Sequence, residues 1–553
     1  MMAGVACWPP SHVRMDNMVD LIIHNARIYT QWPEHPWAQA VAVQKGRIIA
    51  IGADPVILAL AAPGTRLINA RSRLILPAFT DAHIHLFDLA RRRAQVTLYE
   101  AASLDDLLAR VQSHAEKLPA EAWVLGYGWN ESAWPERRFP TRSDLDAVTN
   151  GRPAVVWRTD LHAAVANSEA LRRADISLHT PNPPSGVIDR DETGQPTGVL
   201  RELAINLVRR VIPRMNEETA AANLQAVAAE LHRWGVVAGH DQRMKDNAEE
   251  GPEALRLYQR LAAQGELPLR VSCNLEAWHL DEVIMLGLQS GFGNEWVRFG
   301  HVKLFADGSL GARTAWMLAP YENDAHNSGM ALTPPAEMAA LIQKAHRHGI
   351  AISVHAIGDR ANRTVLDIFA EVIADGSATP PLIPHRIEHV QTIQPQDQLR
   401  LAHLGVTASV QPVHCIDDIP NTDRLWGTRG RNTYPFRNLL DTGAVLAFGS
   451  DAPVATPNPW IGIHAAVTRQ RRDGTPAGGW HPGQRLKIQE AVEAYTLGPA
   501  RAIGQAHIQG RIAPGYLADL ILLDRDIFNI SAAELPATNV LLTILHGQVV
   551  YEA

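Results

Sequence analysis

Short apolar runs broken by Gly, Pro and Asn open the chain. DLIIHNARIYT, AVAVQKGRIIAIG and TRLINARSRLILPAF read as β-rich segments divided by turn residues, which predicts a β-meander from Asp20 onward. The C-terminal stretch has the same texture in GRIAPGYLADLILLD and VLLTILHGQVVYEA. Between about Asp81 and Gly504 the pattern changes. Apolar strand-like runs there alternate with helical segments such as ETAAANLQAVAAELHRWG and PAEMAALIQKAHRHG, and such alternation predicts parallel βα units. The strand candidates are ILPAF (75–79), WVLGYG (123–128), AVVWRT (154–159), VVAGH (236–240), RVSCNL (270–275), VRFGHVKLFAD (297–307), AISVHA (351–356), RIEHV (386–390), VTASVQP (406–412) and VLAFGSD (445–451). A closed barrel needs only eight of these ten, so the stretch from about 87 to 218, rich in Trp, Pro and Arg, is expected to be an insertion. The expected fold is α/β. A (β/α)8 TIM-like barrel over 76–504, with first strand 75–79 and last 445–449, is joined by a small β-sandwich built from 18–75 and 505–553. No repeat of fixed period and no low-complexity tract is visible.

Composition narrows the function classes. Hydrophobic residues make up 46% and charged residues 20% of the 553, enough apolar material for a large core. Lys plus Arg number 51 against 58 for Asp plus Glu, a net charge of -7, which lacks the basic excess that binding a nucleic acid requires. Only three cysteines occur, Cys7, Cys273 and Cys415, without a CxxC pair, so no disulfide framework is expected and a reducing cytoplasm fits. The first twenty residues contain two prolines and no apolar stretch of signal-peptide length, so no secretory leader is expected and order should begin near Met18. Nor is there an uninterrupted apolar window of about 18 residues, so no membrane partner is expected.

Five pieces, LPAFTDAHIHL, GHVKLFADGSLG, ISVHAIGD, RIEHVQ and AFGSDAPV, put a metal-binding type of residue at the C-terminal end of an apolar run. That end of a barrel is where such enzymes keep their chemistry. Residues two apart in a strand point the same way, so His83 and His85 can converge on one cation, with His355, His389 and Asp451 arriving from later strands. Any one histidine near a strand is more often a hydrogen-bonded structural residue. The ordered set is harder to explain that way. Neutral imidazoles with a carboxylate suit zinc, manganese, iron or nickel.

The constellation resembles the metal-dependent amidohydrolase superfamily over nearly the whole chain. GRIIAIG, PAFTDAHIHL, HAIGD, IEHVQ, SDAPV, TLGPARAIG and GRIAPGYLADLILLD are similar to its landmarks, and GYGWNES, GVLRE and VKLFADGSLGARTA resemble the family 3 branch that includes N-substituted formamide deformylases. The resemblance implies that His83 and His85 bind a more buried metal, that His355 and His389 bind a second, and that Asp451 serves the first metal and the reacting water. It also implies two divalent ions, with zinc expected, bridged by an N6-carboxylated Lys303. An ammonium cannot bridge two cations, whereas a lysine carbamate is a carboxylate on a long arm, formed when desolvation lowers the lysine's pKa. An ordinary lysine paired with Asp307 is the structural alternative, and Glu202 in GVLRE is the alternative bridge. PAF stands where the family has PGF, which puts the local turn at Ala78 in question.

Loops after the runs at 123–128 and 154–159 are implied to line the substrate pocket, through Trp129, Asn130 and His162. Four of the 14 tryptophans, Trp123, Trp129, Trp134 and Trp157, would supply an aromatic wall, with plain packing as the other reading. Arg313, Gln411 and His414 are further candidates for touching substrate, while LARRRAQ (89–95) reads as a solvated helix face. The expected activity is hydrolysis of carbon–nitrogen bonds, amide-like and N-formyl or N-acyl in kind, other than peptide bonds. A hydroxide shared by two cations would attack, and Asp451 would carry its proton to the leaving nitrogen. The expected partner is a small amide-like molecule, and the expected assembly is a homodimer. Rival readings are a one-metal deaminase, isomerase or lyase on the same barrel, or a binding protein with a relic site.

Overall fold

The computed structural model describes residues 18–159, 161, 163–184, 186–243, 250–322, 324–376 and 380–553. Residues 1–17, Cys7 among them, lie outside these. Eight strands form one sheet in chain order: β1 (Phe79–Ile84), β2 (Val236–Asp241), β3 (Arg270–Glu276), β4 (Val297–Phe305), β5 (Ile352–Ala356), β6 (Arg386–His389), β7 (Thr407–Val410) and β8 (Leu446–Phe448). Every neighbouring pair is parallel. The strands are buried along nearly their whole length because helices cover the outside and side chains fill the bore, hence their continuous apolar runs. Closure is made just past β8. Asp451 N–H donates to His83 O (2.6 Å), and Ser450 donates to the Asp81 carboxylate through its backbone N–H (3.0 Å) and its hydroxyl (2.5 Å). The approach demands glycine at 449, where a Cβ would lie 2.4 Å from His83 N.

The run ILPAF does not form one barrel strand. Leu74–Pro77 pairs with Arg27–Tyr29 and Leu520–Leu523 in a separate six-stranded sheet, and the barrel begins at Phe79. Leu74 and Leu76 pack into the barrel cluster while Ile75 packs into the sandwich core, so one apolar run serves two cores and its period marks no boundary. Ala78 sits at the junction, donating its N–H to Asp519 O (2.9 Å) without a left-handed φ, so the turn needs no glycine. The six-stranded sheet draws on both termini. It faces a four-stranded sheet of Leu21–His24, Ala40–Gln44, Arg47–Gly52 and Arg66–Asn69 across a core that includes Ile23, Val41, Leu520 and Ile544.

Between β1 and β2 lies a third sheet of six strands, Val96–Thr97, Val124–Trp129, Ala154–Arg158, Ala163–Ala166, Gly186–Arg190 and Pro196–Glu202. It takes up the two surplus runs at 123–128 and 154–159. The arginine-rich segment preceding it is not simply a solvated face. Arg92 is buried, its Nε donates to Asp88 (2.6 Å), and its guanidinium stacks 4.8 Å from the centre of the Tyr127 ring.

Buried neutral histidines give the fold a pH dependence. His232, buried at the end of the helix Glu217–Arg233, donates from Nε2 to Pro268 O (3.0 Å), and burial lowers its pKa from 6.5 to about 4. The folded protein therefore binds fewer protons than the unfolded chain between those values. This contribution is complete above pH 6.5 and is lost as pH falls towards about 4, a difference worth at most about 3 kcal/mol. His232→Gln keeps a donor for Pro268, so thermal melts from pH 7 to 4 should show a shallower acid decline than the unsubstituted protein. An unchanged slope would remove His232 from the acid response.

Candidate active site

The C-terminal ends of the barrel strands bring the histidines together. His83 and His85 leave β1 with Nε2 atoms 3.2 and 3.1 Å from the same Asp451 oxygen, Oδ1. The His389 ring centre lies 5.0 Å from that of His83 and 4.5 Å from that of His355. His83, His389 and Asp451 each offer a ligand atom within 4.8 Å of the others. His389 and Asp451 both hold left-handed φ values, 73° and 62°, a cost that the surrounding hydrogen bonds sustain at this centre.

Acceptors behind three of the rings decide which nitrogen each presents, whereas the buried Nδ1 of His85 has no hydrogen-bond partner among the described residues. His83 Nδ1–H donates to Glu388 Oε2 (2.7 Å), leaving Nε2 for Asp451 and the site. His389 Nδ1–H donates to Gln411 Oε1 (2.8 Å), which leaves its Nε2 lone pair open. His355 is reversed. Its Nε2–H donates to Gly308 O (3.1 Å), so Nδ1 keeps the lone pair.

Charge at the centre follows from burial and neighbours. Burial pushes His355 down to about 3 and His389 well below the ordinary histidine range, so both are neutral bases at pH 7. Burial would raise the Asp451 carboxyl, yet His83 and His85 hold it well below the usual carboxylate range. Lys303, buried near the end of β4, is pushed down to about 8 by burial, against the opposing pull of Glu388 and Asp451. The centre opens into a cavity of about 670 Å³, whose walls combine Leu161, Ile205, Phe305, Leu310 and Ile357 with polar groups.

The amidohydrolase family model matches residues 66–551, nearly nine-tenths of the chain. The chain belongs to the amidohydrolase family. YtcJ of Bacillus subtilis is 32% identical over 535 residues, covering 96% of this chain and 99% of that one. The N-substituted formamide deformylase of Arthrobacter pascens is 29% identical over 552 residues, covering 97% and 99%. Among solved structures, a metal-dependent hydrolase from Pyrococcus horikoshii superposes with a TM-score of 0.78 at 28% identity, covering 93% of this chain and 99% of that one.

In this amidohydrolase, Asn130, Glu202 and His414 line the cavity beside the histidines and Lys303. His414 Nε2 lies 3.7 Å from Asp451 Oδ2. Trp129 does not line it. It is fully buried in the inserted sheet, its indole N–H donating to Val156 O (3.1 Å) and its ring packed against Trp134 and Phe139. Trp134 shares that core, Trp123 and Trp157 belong to the core on the sheet's other face, and none of the four forms an aromatic wall. Gln411 is likewise absent from the lining, being spent on His389. Arg313 points away, its side chain 47% exposed and 3.8 Å from Asp324. His162 lies outside the described residues.

Sequence reasoning passed over Glu388 and Arg386, both fully buried in β6. Their signal was visible in RIEHV, where two charged residues alternate within an otherwise apolar barrel strand, the pattern of side chains aimed into the bore. It also passed over Asp307 as more than a partner for Lys303. The Asp307 carboxylate accepts from the N–H groups of Trp316 (2.8 Å), Ile357 (3.0 Å) and Gly358 (2.7 Å), tying the loop after β4 to the turn after His355.

Proposed function

We propose that this protein is a metal-dependent hydrolase of carbon–nitrogen bonds in small amide-like molecules, N-formyl and N-acyl amides first. His83, His85, Lys303, His355, His389 and Asp451 would hold two divalent ions, with zinc expected. The observation that carries this reading is the convergence of His83, His389 and Asp451 ligand atoms within 4.8 Å, on rings whose far nitrogens are already hydrogen-bonded. Imidazoles and a carboxylate held ionised form a donor set that fits a borderline divalent cation. Likeness to the formamide deformylase over 97% of the chain supports the choice of bond.

Bound divalent ions supply a lowered pKa for water and polarisation of the scissile carbonyl. The chain's own residues do the rest. Asp451 Oδ1 faces His83 and His85, which leaves Oδ2 to take the proton of the attacking water and return it to the leaving nitrogen. Asn130 and His414 would orient the substrate from the cavity wall, and Leu161, Ile205 and Leu310 favour an apolar amine portion. A homodimer in the cytoplasm is the proposed setting, and light scattering tests the first part.

Metal analysis joined to turnover on a panel of amides, lactams and esters tests the proposal. Two ions per chain with amide turnover are expected, and a metal-replete protein inert towards the whole panel would overturn it. The three-residue grouping of His83, His389 and Asp451 also suits a one-metal deaminase or isomerase, which one ion per chain and an unmodified Lys303 would favour.

Lys303 supplies a separate expectation. Its amine, free of its proton above about pH 8, attacks carbon dioxide, forming the N–C bond and releasing a proton. Carbon-13 NMR with labelled bicarbonate should show the carbamate, and Lys303→Ala should lose the second ion first. A fully occupied two-ion centre in that variant would move the bridging role to Glu202, which lines the same cavity, or to water.

A further inference from the structure

The rings that face the centre are backed unequally. His83 donates to a carboxylate, Glu388, whereas His389 donates to the neutral amide oxygen of Gln411 and His355 to the backbone carbonyl of Gly308. Glu388 is itself fully buried and held from three sides. Arg386 Nε lies 2.6 Å from Oε1, Arg386 Nη2 donates to Oε2 (3.1 Å), and Ser353 Oγ donates to Oε1 (2.6 Å). The same guanidinium donates to Ala82 O (2.6 Å), to Ser409 Oγ (2.6 Å) and to His240 Nδ1 (2.9 Å), so it fixes Glu388 against β1, β2 and β7 together. An ionised acceptor makes a shorter and stronger hydrogen bond than a neutral one and puts more electron density on the opposite ring nitrogen.

We propose that Glu388, clamped by Arg386 and Ser353, is a positioning residue that ranks the two ion positions, making the one held by His83 the tighter and leaving the one held by His355 and His389 exchangeable. The inference rests on the two-ion reading above. It adds to that reading a determinant behind the ligands, whose hydrogen-bonded contact with the centre is through His83 and whose charge also pulls on Lys303. Gln411 is its neutral counterpart on the weaker side.

The test is zinc release from the full chain by chelator competition, with the metal counted by mass spectrometry. The unsubstituted protein should release its ions in two steps. Glu388→Gln keeps an oxygen for His83 but removes the charge, and should weaken the tighter step by roughly 10–100-fold while leaving the looser step within about threefold. Ser353→Ala removes one small hydroxyl from the clamp, leaves Arg386 paired, and should weaken the same step by a smaller factor. It decides the matter if Glu388→Gln does not fold. Gln411→Ala should weaken the looser step alone. In the cobalt-substituted protein, the visible bands of the first-bound ion should shift in Glu388→Gln and stay unchanged in Gln411→Ala. A tighter step unchanged in both clamp variants, or a loss confined to the looser step, overturns the inference. A single ion in the unsubstituted protein removes the two-ion reading, and Glu388 then keeps or loses its role according to whether that ion is weakened by the clamp variants.

Discussion

Asp451→Asn is expected to lower kcat by roughly two to four decades while the barrel stays folded, the usual effect of losing a positioned acid–base group. Asparagine matches the carboxylate in shape, and the backbone contacts of residue 451 to β1 do not depend on the side chain. The change removes the negative charge that His83 and His85 share and the Oδ2 lone pair that would take a proton. Metal content should be measured on the same preparation, because some weakening of the ion next to His83 is expected. Near-normal turnover with metal intact would show that another group carries the proton, and His414, 3.7 Å from Asp451 Oδ2, is the first to examine.

Trp129→Ala should lower stability by about 3–5 kcal/mol, the range for deleting a large buried aromatic side chain, and should leave substrate preference unchanged. Trp129 is fully buried, bonded to Val156 O and edge-on to Phe139 at 5.1 Å, so its loss opens a cavity in the inserted sheet. Thermal unfolding followed by circular dichroism measures the first effect. The ratio of kcat/KM on N-aryl amides to that on small charged amides measures the second. A changed ratio with unchanged stability would return Trp129 to the pocket. The residues placed to alter that ratio are Leu161, Ile205 and Leu310, whose side chains face the cavity.

The aromatic wall shows why a local reading fell short. GYGWNES puts Trp129 at the end of a strand, a position from which either face is reachable in principle. The face is chosen by Gly128, which takes a φ of 103° and so turns the chain just before the ring. Trp129 then enters the sheet's own core, and Asn130, one residue on, reaches the cavity. Gln411 failed similarly. SVQPVH places it next to the site, but its amide is taken by a histidine from the neighbouring strand.

What the sequence by itself determined is the barrel and the order of its chemistry. Five of the apolar runs end in a metal-binding type of residue, and a strand's length and direction are local properties, so the ends of β1, β5 and β6 and the turn after β8 could be read without knowing their neighbours. What only the tertiary structure decided is which side of each group is used. Glu388 reaches His83 across 305 residues of chain, and Ser450 reaches Asp81 across 369, so the acceptor that selects a ring nitrogen and the bonds that close the barrel are supplied by remote segments. The division at Ala78 belongs with these. Leu74 through Pro77 and Phe79 through Ile84 adjoin in sequence and are both buried almost throughout, and only the two cores on either side assign them to different sheets.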